Sequence, residues 1–407
     1  MRLLRRLGGG WRSAFSALAL VLALAVVASS CGDDDDDAAI EEETATEEEA
    51  EGTVEATEAE EPDGAEESIP TAEGTSEDGA ESADFDEEAV AEFYSGKTVT
   101  MLVGFSAGGG FDTQARLMAE YLGQYIPGNP TVIVENMPGA ASLVAWNHMY
   151  NTGPKDGTLI GYSEGGQLVQ QLLGNPSVEF DAEQIQYLGA VVQDQFLLAA
   201  TRASGHESFE EILPPQSEEL VVGGIAAGSG SVDAPVIIQD VLDANINLVT
   251  GYDGLANIAL AMESGEVEAF IVGLSSARAA YGEQFENDWN TLVSFTEEQV
   301  ADLPDVPTIL EFTEDQFGEQ VITLGIIRPA QFVRPMVVAP EVPEDRVLAL
   351  RAAIEQLLED EDFLAAAEAS GTDLDPLTGS ELQSLIEDYF GMPEDVQARL
   401  QELIVSN

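Results

Sequence analysis

Basic side chains are scarce in this chain of 407 residues, which has 14 Lys and Arg against 77 Asp and Glu and a formal net charge of −63. Binding to DNA or RNA depends on clustered Lys and Arg that neutralise phosphates. A chain so depleted in positive charge is therefore not expected to bind nucleic acid.

Cysteine and histidine are also scarce, with one Cys and two His in the chain. Cys31 has no partner for an intrachain disulfide, and together with His148 and His206 it cannot complete a Cys/His metal site. We therefore predict neither a metal site nor a cofactor. Hydrophobic residues still make up 44% of the chain, and its length suits two lobes with attachments.

The start of the chain has the pattern of an export signal, in which four arginines precede an apolar run from Ala14 to Val27. The run is shorter than the roughly 20 apolar residues of a membrane-spanning helix. It ends at Ala28-Ser29-Ser30-Cys31, which resembles a bacterial lipobox. We predict residues 1–30 to be a lipoprotein signal peptide and Cys31 to be the acylated N-terminus, anchored on the outer face of the cytoplasmic membrane. The alternative is an ordinary signal peptide cut near Ala28, with Cys31 incidental.

The next segment, residues 31–95, is predicted to be an acidic disordered tether. From Gly32 to Gly96 there are 28 Asp or Glu and no Lys or Arg. As a flexible coil the tether would span roughly 45 Å. The carboxylates at 33–37 lack, in such a chain, the ordered geometry of a calcium site. Residues 97–407 still carry 49 acidic and 10 basic residues, a charge that salt would screen and that points to a saline habitat.

A strand, a glycine turn and a helix are predicted in succession at the start of the folded part. Residues 97–105 are mostly apolar, Ser106-Ala107-Gly108-Gly109-Gly110 forms the turn, and Asp112 or Thr113 is placed to cap the helix. The backbone N–H groups at such a helix start form a binding site for an anion. The turn is not a dinucleotide fingerprint, because Thr113 replaces its third glycine, and no P-loop lysine is present.

Alternating strands and helices continue along the chain and predict parallel sheets, whose ligands bind beyond the carboxyl ends of the strands. Strands are predicted at 131–134, 158–162, 220–222, around Leu248 and at 267–272, and helices at 142–150, 167–173, after the loop 224–231, up to Ser264 and at 343–358. Two lobes with polar loops at helix starts predict a cleft that closes on a small ligand.

Six motifs in series resemble the solute-binding proteins of tripartite tricarboxylate transporters, also called the Bug family. They are Phe105-Ser106-Ala107-Gly108-Gly109-Gly110-Phe111-Asp112, Val134-Glu135-Asn136-Met137-Pro138-Gly139-Ala140-Ala141, Pro154-Lys155-Asp156-Gly157-Thr158-Leu159, Tyr252-Asp253-Gly254, Ser264-Gly265-Glu266-Val267-Glu268 and Leu303-Pro304-Asp305-Val306-Pro307-Thr308. The resemblance implies an α/β fold of the class II periplasmic-binding type, with two α/β lobes and a ligand cleft between them. Residues 96–192 and 325–407 are expected to form lobe 1, and residues 193–324 lobe 2.

The same resemblance implies a function in transport and no enzyme activity. Such a protein captures a small di- or tricarboxylate, or a similar carboxylate, and delivers it to a two-subunit membrane permease; we expect it to act as a monomer. In the family the ligand carboxylate rests mainly on backbone groups of the first glycine loop. The residues predicted to bind the ligand are Phe105, Ser106, Ala107, Gly108, Gly109, Gly110, Phe111, Asp112, Thr113, Ser163, Gly228, Ser229, Gly230, Ser231, Tyr252 and Asp253.

Acidic residues near the predicted cleft depart from the family pattern. Asp253 and Leu255 stand where the family often has a basic residue or a second glycine. Asp112, Glu164 and Asp233 fall near other cleft loops, and such acids repel an anionic ligand. The second group of the ligand therefore stays open between an amine, a hydroxyl and a metal-shielded acid.

Arg328 and Arg334 lie where the chain is expected to return to the first lobe. A guanidinium there either pairs with a ligand carboxylate in bidentate fashion or ties the lobes together and neutralises neighbouring acids. Both roles stay open.

Two other functions also stay open. Gly161-Tyr162-Ser163-Glu164-Gly165 matches the G-x-S-x-G elbow of serine hydrolases, with Ser163 as the nucleophile. His206 is the only downstream histidine, and it follows Ser163 too closely for the usual order of acid and then histidine. The second alternative is a surface lipoprotein that binds no ligand.

Overall fold

The fold is taken from a computed structural model, which describes residues 85–372 and 374–405. The predicted signal peptide, Cys31 and most of the predicted tether lie outside the described residues. All described residues belong to one structural unit, Glu77–Asn407. Within the described ranges, no helix has the length and apolar character needed to cross a membrane.

Strands and helices alternate along most of the described chain. The strands are β1 (Thr98–Val103), β2 (Thr131–Asn136), β3 (Leu159–Tyr162), β4 (Gln186–Ala190), β5 (Phe196–Thr201), β6 (Leu220–Gly224), β7 (Ile246–Thr250), β8 (Ala269–Gly273), β9 (Trp289–Phe295), β10 (Met336–Val338) and β11 (Leu377–Thr378). The helices are α1 (Glu87–Tyr94), α2 (Gly110–Leu122), α3 (Leu143–Asn151), α4 (Gly166–Leu172), α5 (Gly230–Leu242), α6 (Leu255–Ser264), α7 (Leu274–Asn287), α8 (Gln316–Ile322), α9 (Arg328–Gln331), α10 (Glu344–Leu357), α11 (Glu361–Ala369), α12 (Gly379–Phe390) and α13 (Glu394–Ile404). A π-helical turn, Thr323–Ile327, joins α8 to α9.

The first sheet has six strands in the order β11-β4-β10-β3-β1-β2. Its centre is parallel, because β1 pairs with β2 on one side and with β3 on the other in the same direction. Met101, Leu102 and Val103 in β1 are at most 1% exposed. A continuous apolar run of this kind is typical of a parallel strand covered by helices on both faces.

The second sheet has five strands in the order β7-β6-β8-β5-β9. Strand β6 is parallel to β7 and β8, whereas β5 is antiparallel to both β8 and β9. The chain leaves the first sheet after β4 and returns to it at β10. Two α/β lobes, each with its own sheet, are therefore joined by two chain crossings, as the sequence predicted for the fold class.

The prediction that the sheets are parallel was correct only where a helix connects neighbouring strands. Strand β10 runs antiparallel to β3 and β4, and β5 runs antiparallel to its neighbours. Both strands lie next to a crossing between the lobes, so they enter their sheets without the βαβ connection that makes neighbouring strands parallel.

Helix α1 corrects the predicted extent of the acidic tether. Residues 87–94 were assigned to the tether, yet they form a helix with Asp86 as its N-cap. Val90 and Tyr94 are buried one helical turn apart, and the Tyr94 hydroxyl donates to the Gly157 carbonyl at 3.0 Å. The prediction was wrong here because composition over a long acidic window hid a short apolar stripe that packs on the first lobe.

Candidate functional site

Two strand-loop-helix units of similar design meet at the cleft between the lobes. In the first lobe, β1 leads through residues 104–109 into α2; in the second lobe, β6 leads through residues 225–229 into α5. Gly108 and Gly228 have φ angles of +88° and +84°. Glycine adopts this left-handed conformation at little cost, which is why the sequence has a glycine in each loop.

An acid in the first turn of each helix holds its loop in place. The Gly108 N–H donates to Oδ2 of Asp112 at 2.9 Å, and the Gly228 N–H donates to Oδ2 of Asp233 at 3.0 Å. Both acids are buried. Each loop is thus folded back onto the start of its own helix, which fixes the glycines beside the cleft.

Asp112 does not cap α2 as the sequence suggested. The N-cap is Gly109, and Asp112 lies inside the first turn. Burial disfavours the ionised form of Asp112, but hydrogen bonds from Arg116, from the Gly108 N–H and from Asn136 outweigh it and lower the pKa of Asp112. Its oxygens accept from Arg116 at 2.8 and 2.9 Å and from Asn136 at 2.9 Å. The carboxylate is therefore occupied by protein donors.

The lobes touch through glycine and serine. A Cβ atom built on Gly110 would lie 1.9 Å from Oγ of Ser276, and one built on Gly254 would lie 2.8 Å from Oγ of Ser106. The Ser106 hydroxyl donates to Oδ1 of Asn257 in α6 at 3.1 Å. No side chain larger than hydrogen fits at Gly110 in this arrangement without displacing Ser276.

Between the lobes lies a cavity of about 40 Å³. Eight of the predicted site residues line it: Phe105, Ser106, Gly109, Gly110, Phe111, Ser229, Gly230 and Ser231. A buried water needs about 10–15 Å³ of such space. In this arrangement the cavity holds only a small group, so a larger ligand requires the lobes to separate slightly.

The other eight predicted residues do not line the cavity: Ala107, Gly108, Asp112, Thr113, Ser163, Gly228, Tyr252 and Asp253. Gly108 and Gly228 shape the loops as described. The Tyr252 hydroxyl donates to Oε1 of Glu266 at 2.9 Å, and Asp253 is exposed. Gly254 and Leu255, which directly follow Asp253, line the cavity instead.

Arg334 and Asp194 form a buried ion pair in the cavity wall. The Nε and Nη2 atoms of Arg334 lie 3.2 and 2.9 Å from Oδ2 of Asp194, and both side chains are 2% exposed. Nη2 also donates to Oγ of Ser276 at 2.6 Å, and Nη1 donates to Oε1 of Gln114 at 2.9 Å. Four of the five N–H groups of Arg334 are therefore engaged by the protein.

The ion pair is fixed by further contacts on both sides. The Arg334 guanidinium lies 4.4 Å from the centre of the Phe111 ring. Asp194 also accepts from the Ser275 hydroxyl at 2.7 Å and from the Ser275 N–H at 3.1 Å. Burial lowers the pKa of Arg334, but the charges and hydrogen bonds of Asp194 and Tyr162 together outweigh this effect and raise the pKa above its usual value. Arg334 thus joins residues of both lobes and stays charged.

Arg328 lies elsewhere. It pairs with Glu297 at 3.1 Å, both side chains are more than 40% exposed, and Arg328 does not line the cavity. Sequence reasoning named both arginines but could not rank them, and it missed Asp194 and Ser276. What marks these two residues as part of the site is their contact with Arg334 in the folded protein. The sequence does not show this contact, because Arg334 lies 140 residues from Asp194 in the chain.

Glu164 is the second acid of the cavity wall, and it is 5% exposed. Its backbone is held at both ends: its carbonyl accepts from the Trp146 indole N–H at 2.8 Å, and its N–H donates to Oγ of Ser142 at 3.2 Å. Burial raises the pKa of Glu164 to about 8, although Arg334 opposes the shift. The carboxyl is therefore largely protonated at neutral pH.

The structure does not assemble a hydrolase triad from Ser163 and His206. Strand β5 begins at Phe196, in the cavity wall, and runs for six residues to Thr201, before His206. Phe196 and Thr201 are about 17 Å apart along the strand, and His206 lies beyond Thr201. Ser163, by contrast, directly precedes Glu164 in the cavity wall. Neither ring nitrogen of the buried His206 has a hydrogen-bond partner. In the part of the chain described, no three His, Cys, Asp or Glu are grouped to hold a metal ion.

Comparison with solved structures finds the same fold in several binding proteins. The periplasmic binding protein BugD is 19% identical, with a TM-score of 0.61, over 76% of this chain and 98% of BugD. MatC from Rhodopseudomonas palustris, solved with bound malate, is 20% identical with a TM-score of 0.58 over 76% of this chain and 99% of MatC. Rpa4515 from R. palustris, solved with adipate, is 19% identical with a TM-score of 0.59 over 76% of this chain and 98% of Rpa4515.

Sequence comparison adds a family assignment. No curated protein matches the chain. Residues 113–372, more than half of the chain, match the family described as "Tripartite tricarboxylate transporter family receptor". The two-lobed fold and the six motifs agree with this match, and the chain belongs to the family of tripartite tricarboxylate transporter receptors.

Proposed function

We propose that the protein is an extracytoplasmic receptor that captures a small organic acid, such as a di- or tricarboxylate, and delivers it to the permease of a tripartite tricarboxylate transporter. The observation that carries the proposal is the meeting of two glycine loops, each at a helix start, on one buried cavity. The malate and adipate in MatC and Rpa4515 support an acid of this kind.

The helix starts supply the chemistry for holding a carboxylate. The first N–H groups of a helix have no acceptor within the helix, and the helix dipole favours an anion there. Gly109, Gly110 and Phe111 at the start of α2 line the cavity. A ligand carboxylate accepts hydrogen bonds from these N–H groups, while the second lobe, through Ser229 and Ser231, closes over the rest of the ligand.

Capture is a closure of the lobes and involves no bond making or breaking. Lobe 1 comprises residues 96–192 and 325–407, and lobe 2 comprises residues 193–324. The ligand favours the closed state because it contacts both lobes at once. The protein acts as a monomer, is anchored through lipid on Cys31 outside the cytoplasmic membrane, and passes its ligand to a permease of two membrane subunits.

The site is tested by replacing Gly109 with valine. Gly109 has a φ of −87°, and a Cβ built there meets only the Tyr281 hydroxyl, at 3.9 Å, so valine fits the free protein. The valine methyls would occupy cavity space, and we expect at least tenfold weaker binding of malate or citrate by isothermal titration calorimetry, with an unchanged circular dichroism spectrum.

Gly282→Val is the matched control, because a Cβ at Gly282 has no neighbour within 4 Å and Gly282 does not line the cavity. This variant should bind like the wild type. Equal affinity of Gly109→Val and wild type for an acid that the wild type binds would contradict the proposed site.

A further inference from the structure

Glu164 is a buried acid in the cavity wall whose carboxyl receives no hydrogen bond from any side chain among the described residues. It lines the cavity between the lobes and also a smaller adjoining space that it shares with Gly228, Gly230 and Asp233. The glycine loops of both lobes border these spaces. Glu164 therefore borders the volume in which a ligand held by the start of α2 has to lie.

The charges around Glu164 leave it without a counter-ion of its own. Arg334, a cation of the same cavity wall, is engaged by Asp194, and Asp194 and Asp233 both act against a negative charge on Glu164. The Gly166 N–H and the Arg334 charge favour the ionised form but do not outweigh burial. A buried carboxylate held by one backbone N–H and without a counter-ion of its own is costly, and the group accepts a proton instead.

The same cavity wall argues against an ammonium group on the ligand beside Glu164. An ammonium there would need the ionised carboxylate, and it would also share the small cavity with the charged Arg334 guanidinium. Like charges in a buried site repel strongly. An acceptor oxygen meets neither difficulty, because a protonated carboxyl donates one hydrogen bond and Arg334 attracts the partial negative charge of the oxygen.

We propose that Glu164 determines the specificity of the cleft as a neutral carboxylic acid, donating its O–H to a second acceptor oxygen of the bound organic acid. This inference rests on the proposed function, which supplies the first carboxylate at the start of α2. It narrows the ligand to acids with a second carboxylate, hydroxyl or carbonyl oxygen, and it excludes ligands that place an amine at this point.

The inference predicts a pH dependence whose sign follows from the proton on Glu164. Binding needs the protonated form, which is mostly present at pH 7 and mostly lost at pH 9, because burial raises the pKa of Glu164 to about 8. The affinity for malate should therefore fall about tenfold between pH 7 and pH 9. Titration calorimetry at several pH values measures this fall directly.

Glu164→Gln separates a neutral donor from an anion at the same position. The amide donates N–H in place of O–H and does not titrate, so this variant should bind malate within about threefold of the wild type at pH 7. Its affinity should then stay constant up to pH 9. Glu218→Gln is the control: Glu218 is exposed and lies outside the cavity wall, so this variant should keep the tenfold fall.

The possible failures are distinguishable. A wild-type affinity that does not change with pH, or more than tenfold loss in Glu164→Gln at pH 7, would overturn the role of Glu164 and leave organic-acid binding in place. Aspartate binding that needs the ionised Glu164, and so strengthens as pH rises and disappears in Glu164→Gln, would overturn it in favour of an amine. No binding of any organic acid by the folded wild type between pH 6 and pH 9 would overturn the proposed function and this inference together.

Discussion

At the scale of single residues, the buried pair of Arg334 and Asp194 explains how a strongly acidic protein keeps its cleft nearly neutral. The two charges cancel inside the wall, at 2% exposure each. Glu164 is uncharged when protonated, and Asp112 is neutralised by Arg116. The excess carboxylates of the chain are therefore mostly elsewhere, and a ligand anion meets backbone dipoles at the cavity instead of an acidic wall.

Loss of one partner of this pair should strongly destabilise the folded protein. Asp194→Asn leaves the Arg334 guanidinium buried without a counter-charge, and such a change typically costs about 3–5 kcal/mol in the free energy of unfolding. Urea denaturation followed by circular dichroism measures the loss. The double variant Asp194→Asn with Arg334→Gln should recover part of it, because no unpaired charge is then buried.

Asp240→Asn provides the comparison on the surface. Asp240 pairs with Arg399, and their side chains are 28% and 31% exposed. Pairs of this kind contribute about 0–1 kcal/mol. A similar loss of unfolding free energy in Asp194→Asn and Asp240→Asn would show that the Arg334 pair stabilises the fold no more than a surface pair does.

At the scale of elements, the close approach of α2 to α7 means that the lobes can close fully only if residue 110 has no side chain. Alanine at 110 would place Cβ 1.9 Å from Oγ and 3.0 Å from Cα of Ser276. The lobes should then stay apart, and we expect at least tenfold weaker binding of malate together with a larger radius of gyration in small-angle scattering with the ligand present.

Removal of the opposing side chain tests this explanation. Ser276→Gly deletes both the Oγ and the Cβ that alanine at 110 would meet, so the double variant Gly110→Ala with Ser276→Gly should close further and bind more tightly than Gly110→Ala alone. If Gly110→Ala bound like the wild type, the contact between α2 and α7 would not be part of the closed state.

Elements with a local signal could be predicted from sequence, and elements set by distant contacts could not. The strand, glycine turn and helix of β1 and α2 lie within 25 residues and have apolar spacing of their own. By contrast, β5 pairs with β8 and β9, about 70 to 100 residues further along the chain, and nothing in its short apolar run specifies that direction. The missed site residues have the same origin: Asp194 lies in a crossing between lobes, and Ser276 follows β8 on α7.

At the scale of the whole molecule, the net charge predicts a stability that rises with salt. Residues 97–407 carry 49 acidic and 10 basic residues, and their mutual repulsion is relieved when the protein unfolds and the charges move apart. The Debye length falls from about 10 Å at 0.1 M to about 3 Å at 1 M ionic strength. The thermal midpoint should therefore be higher in 1 M than in 0.1 M NaCl, as measured by differential scanning calorimetry.

A variant with reduced surface charge separates this repulsion from general effects of salt. Glu218, Glu219 and Glu298 are exposed and lie outside the cavity wall, so Glu218→Lys, Glu219→Lys and Glu298→Lys together lower the net negative charge by six without touching the site. The triple variant should have a higher midpoint than the wild type at 0.1 M NaCl and a smaller increase on going to 1 M. Equal increases in both proteins would mean that salt acts on burial of apolar surface and that the acidic surface is not a source of instability.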